Sequence, residues 1–291
     1  ASILLVFCMI LGGGPGGMTS GQMTVFAEEA EQALVFSGDE GTTWTYDGVT
    51  FTGWDQNYKG ESGTWEWYGT ATDQYNAHTL ILDGFELETS QTGISFGESD
   101  TPVTVILRNA NRICSSGGAA IKSASDLQLI GETGAAAPAL DLTYAGADNN
   151  GIDVGKSLQI YRAYMRIQSD NRNGSLKDGA KTSAIRCENL KTETSSVGIR
   201  ADAAAIKTGH LYLLKDSSFS MNALEAAITG LDEDTVPEIT TLPARELTNA
   251  NLSLEEYNES RTFSGNIIPE DKTRDVRLNT ETIIRDKGDT I

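Results

Sequence analysis

Residues 79–97 read TLILDGFELETSQTGISFG, and the fold turns on how that line is taken. Leu80 and Leu82 stand two apart, and a strand turns such alternate positions to one face. Each apolar run lasts a few residues before Gly, Asn, Asp or Ser interrupts it, and those residues turn corners. The pattern returns as TVILRNANRICSSGGAAIKS at residues 104–123 and DLQLIGETG at 126–134. It continues as ALDLTYAGADNNGIDVG at 139–155 and KSLQIYRAYMRIQSD at 156–170. SAIRCE at 183–188, NLKTETSSVGIRAD at 189–202 and HLYLLKDSSFSMNALEAAITG at 210–230 complete it.

The spacing is countable. Ile121 to Leu127 and Ile152 to Leu158 are six residues each, and Ile206 to Leu211 is five. Leu129, Ile160 and Leu213 then follow two residues further on. The interval between copies varies, 22 residues from Val105 to Leu127 and 31 from Leu127 to Leu158. Corner insertions explain this, because added loop length costs little.

One such coil cannot bury its own apolar face, whereas stacked coils bury it continuously. Few windows hold apolar residues at i, i+3, i+4 and i+7; only residues 223–228 and 254–257 look helical. The sequence therefore predicts an all-β chain, a right-handed single-stranded parallel β-helix over residues 76–231. The alternative is an antiparallel β-sandwich, which would show longer strands and two-residue hairpin turns.

Both ends of a stack need covering, since open strand edges invite pairing with other chains. Residues 28–75 form an aromatic N-terminal cap. They hold Trp44, Trp54, Trp65 and Trp67 with Tyr46, Phe51, Tyr58, Tyr68 and Tyr75. Two readings compete. Trp44, Trp65, Trp67 and Tyr68 could present flat faces to sugars, or the aromatics could be the core of a cap poor in aliphatic residues. Residues 232–291 are polar and carry Pro237, Pro243 and Pro269. Short strands are expected there at 262–268 and 275–284, in a C-terminal cap or the start of a further module.

Residues 2–11, SILLVFCMIL, are apolar but too short to span a bilayer. Thr24-Val25-Phe26-Ala27 before Glu28-Glu29 suits signal peptidase, so residues 1–27 read as a signal peptide that begins upstream. The expected location is secreted or cell-surface, with no membrane insertion of the mature chain. Net charge is −19 over 291 residues, with a pI near 4.4. That balance excludes phosphate-reading nucleic-acid binding, which needs clustered Lys and Arg, and keeps the chain soluble, consistent with a monomer. Cys8 falls in the signal stretch. Cys114 and Cys187 lie coils apart, so two free, buried thiols are expected.

The search for chemistry yields little. Asp148, Asn150 and Asp153 offer closely spaced oxygens, a candidate calcium loop that lacks the full EF-hand pattern. No other cofactor is implied. His78 and His210 stand before strands without an acid–base partner and read as turn residues. Asp39-Glu40-Gly41 reads as a turn and Asp232-Glu233-Asp234 as a solvated loop. Neither a nucleophile elbow, a P-loop nor a dinucleotide fingerprint occurs.

WTYDG at 44–48 followed by LILDGFEL, GISFG, DLQLIG, GIDVG, SLQIYRAYMRIQS and GIRAD resembles a known class. It is similar to the secreted or surface-attached parallel β-helix repeat proteins of Gram-positive gut bacteria, of the carbohydrate-binding domain-containing type. In those, WxYD opens the domain and coils of the type G-I-x-x-G-x-L-x-I follow. The resemblance covers residues 44–231 and implies export and glycan binding. The expected function is a non-catalytic secreted or cell-surface module that binds a carbohydrate or host glycan, or adheres. The alternative is a polysaccharide lyase or glycoside hydrolase working in a groove along the stack.

Overall fold

The computed structural model describes residues 33–36, 44–132, 139–145, 149–169, 182–242, 246–251 and 261–280. They belong to one compact unit, residues 31–291. Every regular element among them is a strand, and most strands pair in parallel. Residues 223–228, the segment that looks helical in sequence, are not: Ala223 ends the strand Ser218–Ala223 and residues 226–228 fall in the strand Ala226–Thr229, whose parallel pairing to Ala204–Leu213 outweighs a local pattern that suits either state. Residues 254–257 lie outside the described residues. The parallel pairing also removes the antiparallel sandwich.

The chain passes repeatedly through three parallel ladders. In the first, Leu34, Ile94, Ile121, Ile152, Ile185, Ile206 and Ile228 stand in register from strand to strand. All seven are fully buried. The second ladder puts Val103, Leu127, Leu158, Leu190, Leu211 and Ile239 in one buried row. The third does the same with Leu87, Ile113, Leu142, Ile167, Ile199 and Met221. Rows from all three ladders merge into a single apolar core. Each strand supplies alternate residues to it, and neighbouring passes saturate the backbone hydrogen bonds.

Two details depart from the sequence pattern. Val103, not Val105, is the partner of Leu127, so the first interval is two residues longer than the spacing suggested. A slip of two keeps every side chain on its own face, which is why the apolar pattern alone cannot detect it. The strands are also not uniformly short. Ser183–Glu193 and Ala204–Leu213 run through the first and second ladders without a break. Cys187 and Thr208 occupy the place of a corner in these two strands, paired in register and fully buried.

Polar side chains stitch successive passes together. Asn111 is buried, and its Oδ1 accepts the Phe85 N–H at 2.9 Å. Its Nδ2 donates to the Arg108 carbonyl at 3.0 Å and lies 3.4 Å from that of Ala139. Ser125 Oγ donates back to the Gly97 carbonyl at 2.9 Å, and Ser195 Oγ to that of Ile160 at 3.3 Å.

Antiparallel strands flank the second ladder at both ends and the third at one. Trp65–Tyr68 lies between Asn57–Lys59 and Thr79–Asp83, with Trp65 opposite Leu82 and Trp67 opposite Leu80. At the other end Arg261–Ser264 pairs with Glu238–Thr241, and Val276–Asn279 joins Ser218–Ala223 to Glu246–Thr248. Arg261–Ser264 overlaps the segment expected at 262–268, and Val276–Asn279 falls within that expected at 275–284.

Candidate functional site

The residues first marked as a glycan platform go in different directions. Trp65 and Trp67 are in the core, 1% and 0% exposed. Phe51 stacks on Trp65 with ring centres 5.5 Å apart, and Phe36 on Trp67 at 4.1 Å. The Trp65 indole N–H donates to Asp47 Oδ2 at 2.9 Å, and that of Trp67 to the Trp54 carbonyl at 2.8 Å. Sugar-stacking faces are therefore covered at both positions, and the cap-core reading accounts for them. Tyr68 is half-buried; its hydroxyl donates to Glu66 at 2.7 Å, and this bond with partial burial raises its pKa to about 12. Lys59 and Tyr68 together hold the Glu66 carboxyl below its usual range. Trp44 lies in the hairpin strand opposite Phe51.

The calcium loop is distributed likewise. Asp148 lies outside the described residues. Asn150 Oδ1 accepts the Ser183 N–H at 2.9 Å, and Asp153 faces Arg186 at 3.3 Å in the next pass. Both oxygens serve the ladder. Among the described residues no group of three or more His, Cys, Asp and Glu converges as a metal centre would require.

The two histidines are not simple turn residues. His78 has a left-handed backbone, φ 58°, but its ring is buried against Trp54 with centres 4.2 Å apart and lies 2.8 Å from Thr101 Oγ1. His210 sits within the strand Ala204–Leu213, stacked on Tyr212 at 3.9 Å and bonded to Thr240 Oγ1 at 3.1 Å. Cys114 and Cys187 are free, as expected, but Cys114 is only partly buried because it faces outward on its strand. Burial pushes the Cys187 thiol up to about 12.

A different place gathers ligand-type groups: the outer face of the third ladder. Tyr164 is 60% exposed, more than any other large hydrophobic side chain among the described residues. Its register neighbours are Ala139 on one side and Ser196 on the other. These side chains are too short to cover a ring, in keeping with its exposure.

Two residues along the same face comes the next row, Arg166, Gly198, Ser220 and Arg277. Glycine interrupts the row. A Cβ at Gly198 would meet nothing closer than the Met165 carbonyl at 3.9 Å, so the missing side chain leaves a dent in the sheet surface. The dent opens into a groove of about 400 Å³. Arg166, Gln168, Arg200, Ser220, Asn222 and Asp275 line it.

Its polar groups fall into two kinds. Arg166 is held by Asp141, through Nε to Oδ1 at 3.0 Å and Nη2 to Oδ2. Asp275 is held by Ser220 Oγ at 2.8 Å and Asn222 Nδ2 at 3.3 Å. Arg200 is exposed between Gln168 and Asn222 and has no hydrogen-bond or ion-pair partner among the described residues. The result is a shallow groove with fixed donors and acceptors and, among its lining residues, one uncommitted guanidinium, beside the exposed Tyr164 ring.

A second depression, about 760 Å³, lies beside Lys207, Glu225 and residues 232–234. There Asp232 organises the loop, accepting from Asp234 N at 3.2 Å, and the acidic side chains are exposed to solvent. This is the solvated loop that the sequence suggested.

Sequence reasoning missed the groove for a definite reason. The lining residues Arg166, Gly198, Arg200 and Asn222, and Tyr164 beside them, come from three strands, and only register brings them together. One signal was present: YMRIQS at 164–169 puts Tyr, Arg and Gln on the polar side of an alternating strand. No protein-family model, curated protein or solved structure matches this chain.

Proposed function

We propose that this protein is a non-catalytic, exported glycan-binding module built on a parallel β-helix, and that the third ladder's outer face carries the ligand. The observation that carries this reading is Tyr164, an aromatic ring kept open by Ala139 and Ser196 beside a polar groove floored by Gly198. A pyranose ring offers a flat C–H face to an aromatic ring, and its hydroxyls suit fixed side-chain amides, hydroxyls and guanidinium groups. The polar lining favours such a hydroxyl-rich ligand over an apolar one.

The enzyme alternative is less well supported. Acid–base hydrolysis needs two carboxyl groups set across a scissile bond with different proton affinities. On this face Asp141 is paired with Arg166, and Asp275 is hydrogen-bonded to Ser220 and Asn222. Their bonding suits posts that hold other side chains in place.

The experiment is a glycan array followed by calorimetry, using the purified chain and its Tyr164→Ala and Gly198→Gln variants. Saturable binding that both variants lose, with melting temperature retained, supports the module. Binding untouched by both would move the site elsewhere, and an array without a single hit would remove the glycan reading.

A further inference from the structure

We infer that the ligand of the third-ladder groove carries an isolated carboxylate, as a uronic acid within an otherwise neutral saccharide does, and that Arg200 receives it. This rests on the glycan-binding reading and adds the class of sugar. Three observations support it.

The first is the allocation of hydrogen-bond partners inside the groove. Arg166 is already matched by Asp141, and Asp275 is already satisfied by Ser220 and Asn222. Arg200 is exposed and carries no such partner among the described residues. Its neighbours in register are the neutral Gln168 and Asn222. A planar guanidinium offers parallel N–H groups that fit a carboxylate in a bidentate manner, which a neutral hydroxyl does not exploit.

The second is position. Gly198 precedes Arg200 by two residues on the same face, so the guanidinium borders the dent rather than projecting from a crowded row. Tyr164 and Arg200 lie on adjacent strands, offset along them by four residues through Ser196. At about 3.3 Å per residue and about 4.8 Å between strands, their Cα atoms are roughly 14 Å apart. One sugar stacked on Tyr164 therefore leaves room for a different unit of the same oligosaccharide at Arg200.

The third is the charge of the whole chain. At −19 the protein repels a polyanion at long range. A single carboxylate feels little of that field, because exposed charges beyond about 8 Å are screened at physiological ionic strength. Arg200 acts at contact distance. An isolated acidic sugar among neutral ones satisfies both the local guanidinium and the acidic surroundings, whereas a densely charged polyuronate satisfies only the first.

The test compares a neutral oligosaccharide that carries a single glucuronate against the same oligosaccharide after carboxyl reduction. Calorimetry is run on the full chain and on Arg200→Gln. A charge-assisted contact predicts that the carboxylated form binds about tenfold tighter or more. Arg200→Gln should bring it down to the affinity of the reduced form, with the reduced form's own binding retained. Equal binding of the two forms by the unaltered protein overturns the inference but leaves the glycan module standing. A preference that survives Arg200→Gln also overturns it. If neither form binds while a neutral glycan on the array does, the carboxylate is wrong and the module is right. Absence of binding to any glycan removes both.

Discussion

Tyr164 is paired in register with Ala139, and the shortness of that alanine is part of what keeps the tyrosine ring in solvent. The inward neighbours of Tyr164 build the core, but its own ring, 60% exposed, adds little to it. Tyr164→Ala should therefore change stability by no more than about 0.5 kcal/mol, the usual range for a surface substitution. Glycan affinity should fall by about tenfold or more with loss of the stacking surface. Denaturant unfolding and calorimetry on the same preparation separate the two effects. A large loss of stability would mean that the ring is packed against something.

Gly198 gives the converse case. Glycine within a strand costs roughly 0.5–1 kcal/mol of conformational entropy relative to a residue with a side chain. Since the Cβ position at Gly198 is open, Gly198→Thr should raise stability by about that amount. It should also fill the dent and weaken ligand binding. A variant that is more stable and binds less would show that the gap serves the ligand.

Thr192 lies in a buried aliphatic row, between Ile160 and Leu213 in register. It is fully buried, and its hydroxyl lacks a hydrogen-bond partner among the described residues. Valine has nearly the same outline without the polar atom. Because an unsatisfied buried hydroxyl costs about 1–3 kcal/mol, Thr192→Val should stabilise the protein by about 1 kcal/mol or more, read as a higher urea midpoint at unchanged m-value. The reverse holds for Asn111, whose bonds reach Phe85 and the Arg108 carbonyl. Asn111→Leu leaves these backbone groups unpaired and should cost about 2–4 kcal/mol.

Thiol chemistry should distinguish the two cysteines. Cys187 is fully buried and its folded pKa is raised from 9.0 to about 12, so it should resist a disulfide reagent at pH 8 until the chain unfolds. Cys114 is partly exposed and should react in the native state. With Cys8→Ser in place, one equivalent is expected before denaturation and two after. The sign of the pH dependence follows: the stability linked to Cys187 is fully present below pH 9 and is lost as pH rises from there towards 12. Burial of Tyr46 acts in the same direction, raising it from 10.0 to about 12. The alkaline loss of stability should therefore be shallower in Cys187→Val.

Tryptophan emission offers a last check. Trp65 and Trp67 are enclosed by Phe36 and Phe51, and all four tryptophans of the chain stand in the N-terminal segment rather than on the third ladder. Emission should follow unfolding closely and change little on glycan binding at Tyr164. A saturable ligand-induced shift lost in Tyr68→Ala would instead return the site to the cap.

The sequence by itself determined the strand character and the inward faces. Alternation two apart marks Leu127 with Leu129 and Leu158 with Ile160 as core positions whatever their partners, because a strand's pleat is a local property. The aromatic cluster and the acidic balance were legible in the same way. Register was not. A two-residue slip preserves every face, so only packing of successive passes decided that Leu127 meets Val103. The continuous strands through Cys187 and Thr208 depended on neighbours on both sides, and the strand at 226–228, within the helical-looking segment 223–228, depended on its pairing to Ala204–Leu213. The groove belongs wholly to tertiary structure. Tyr164, Gly198 and Asn222 acquire a common surface only when three separate strands align, and which glycine becomes a dent depends on the side chains that stand beside it.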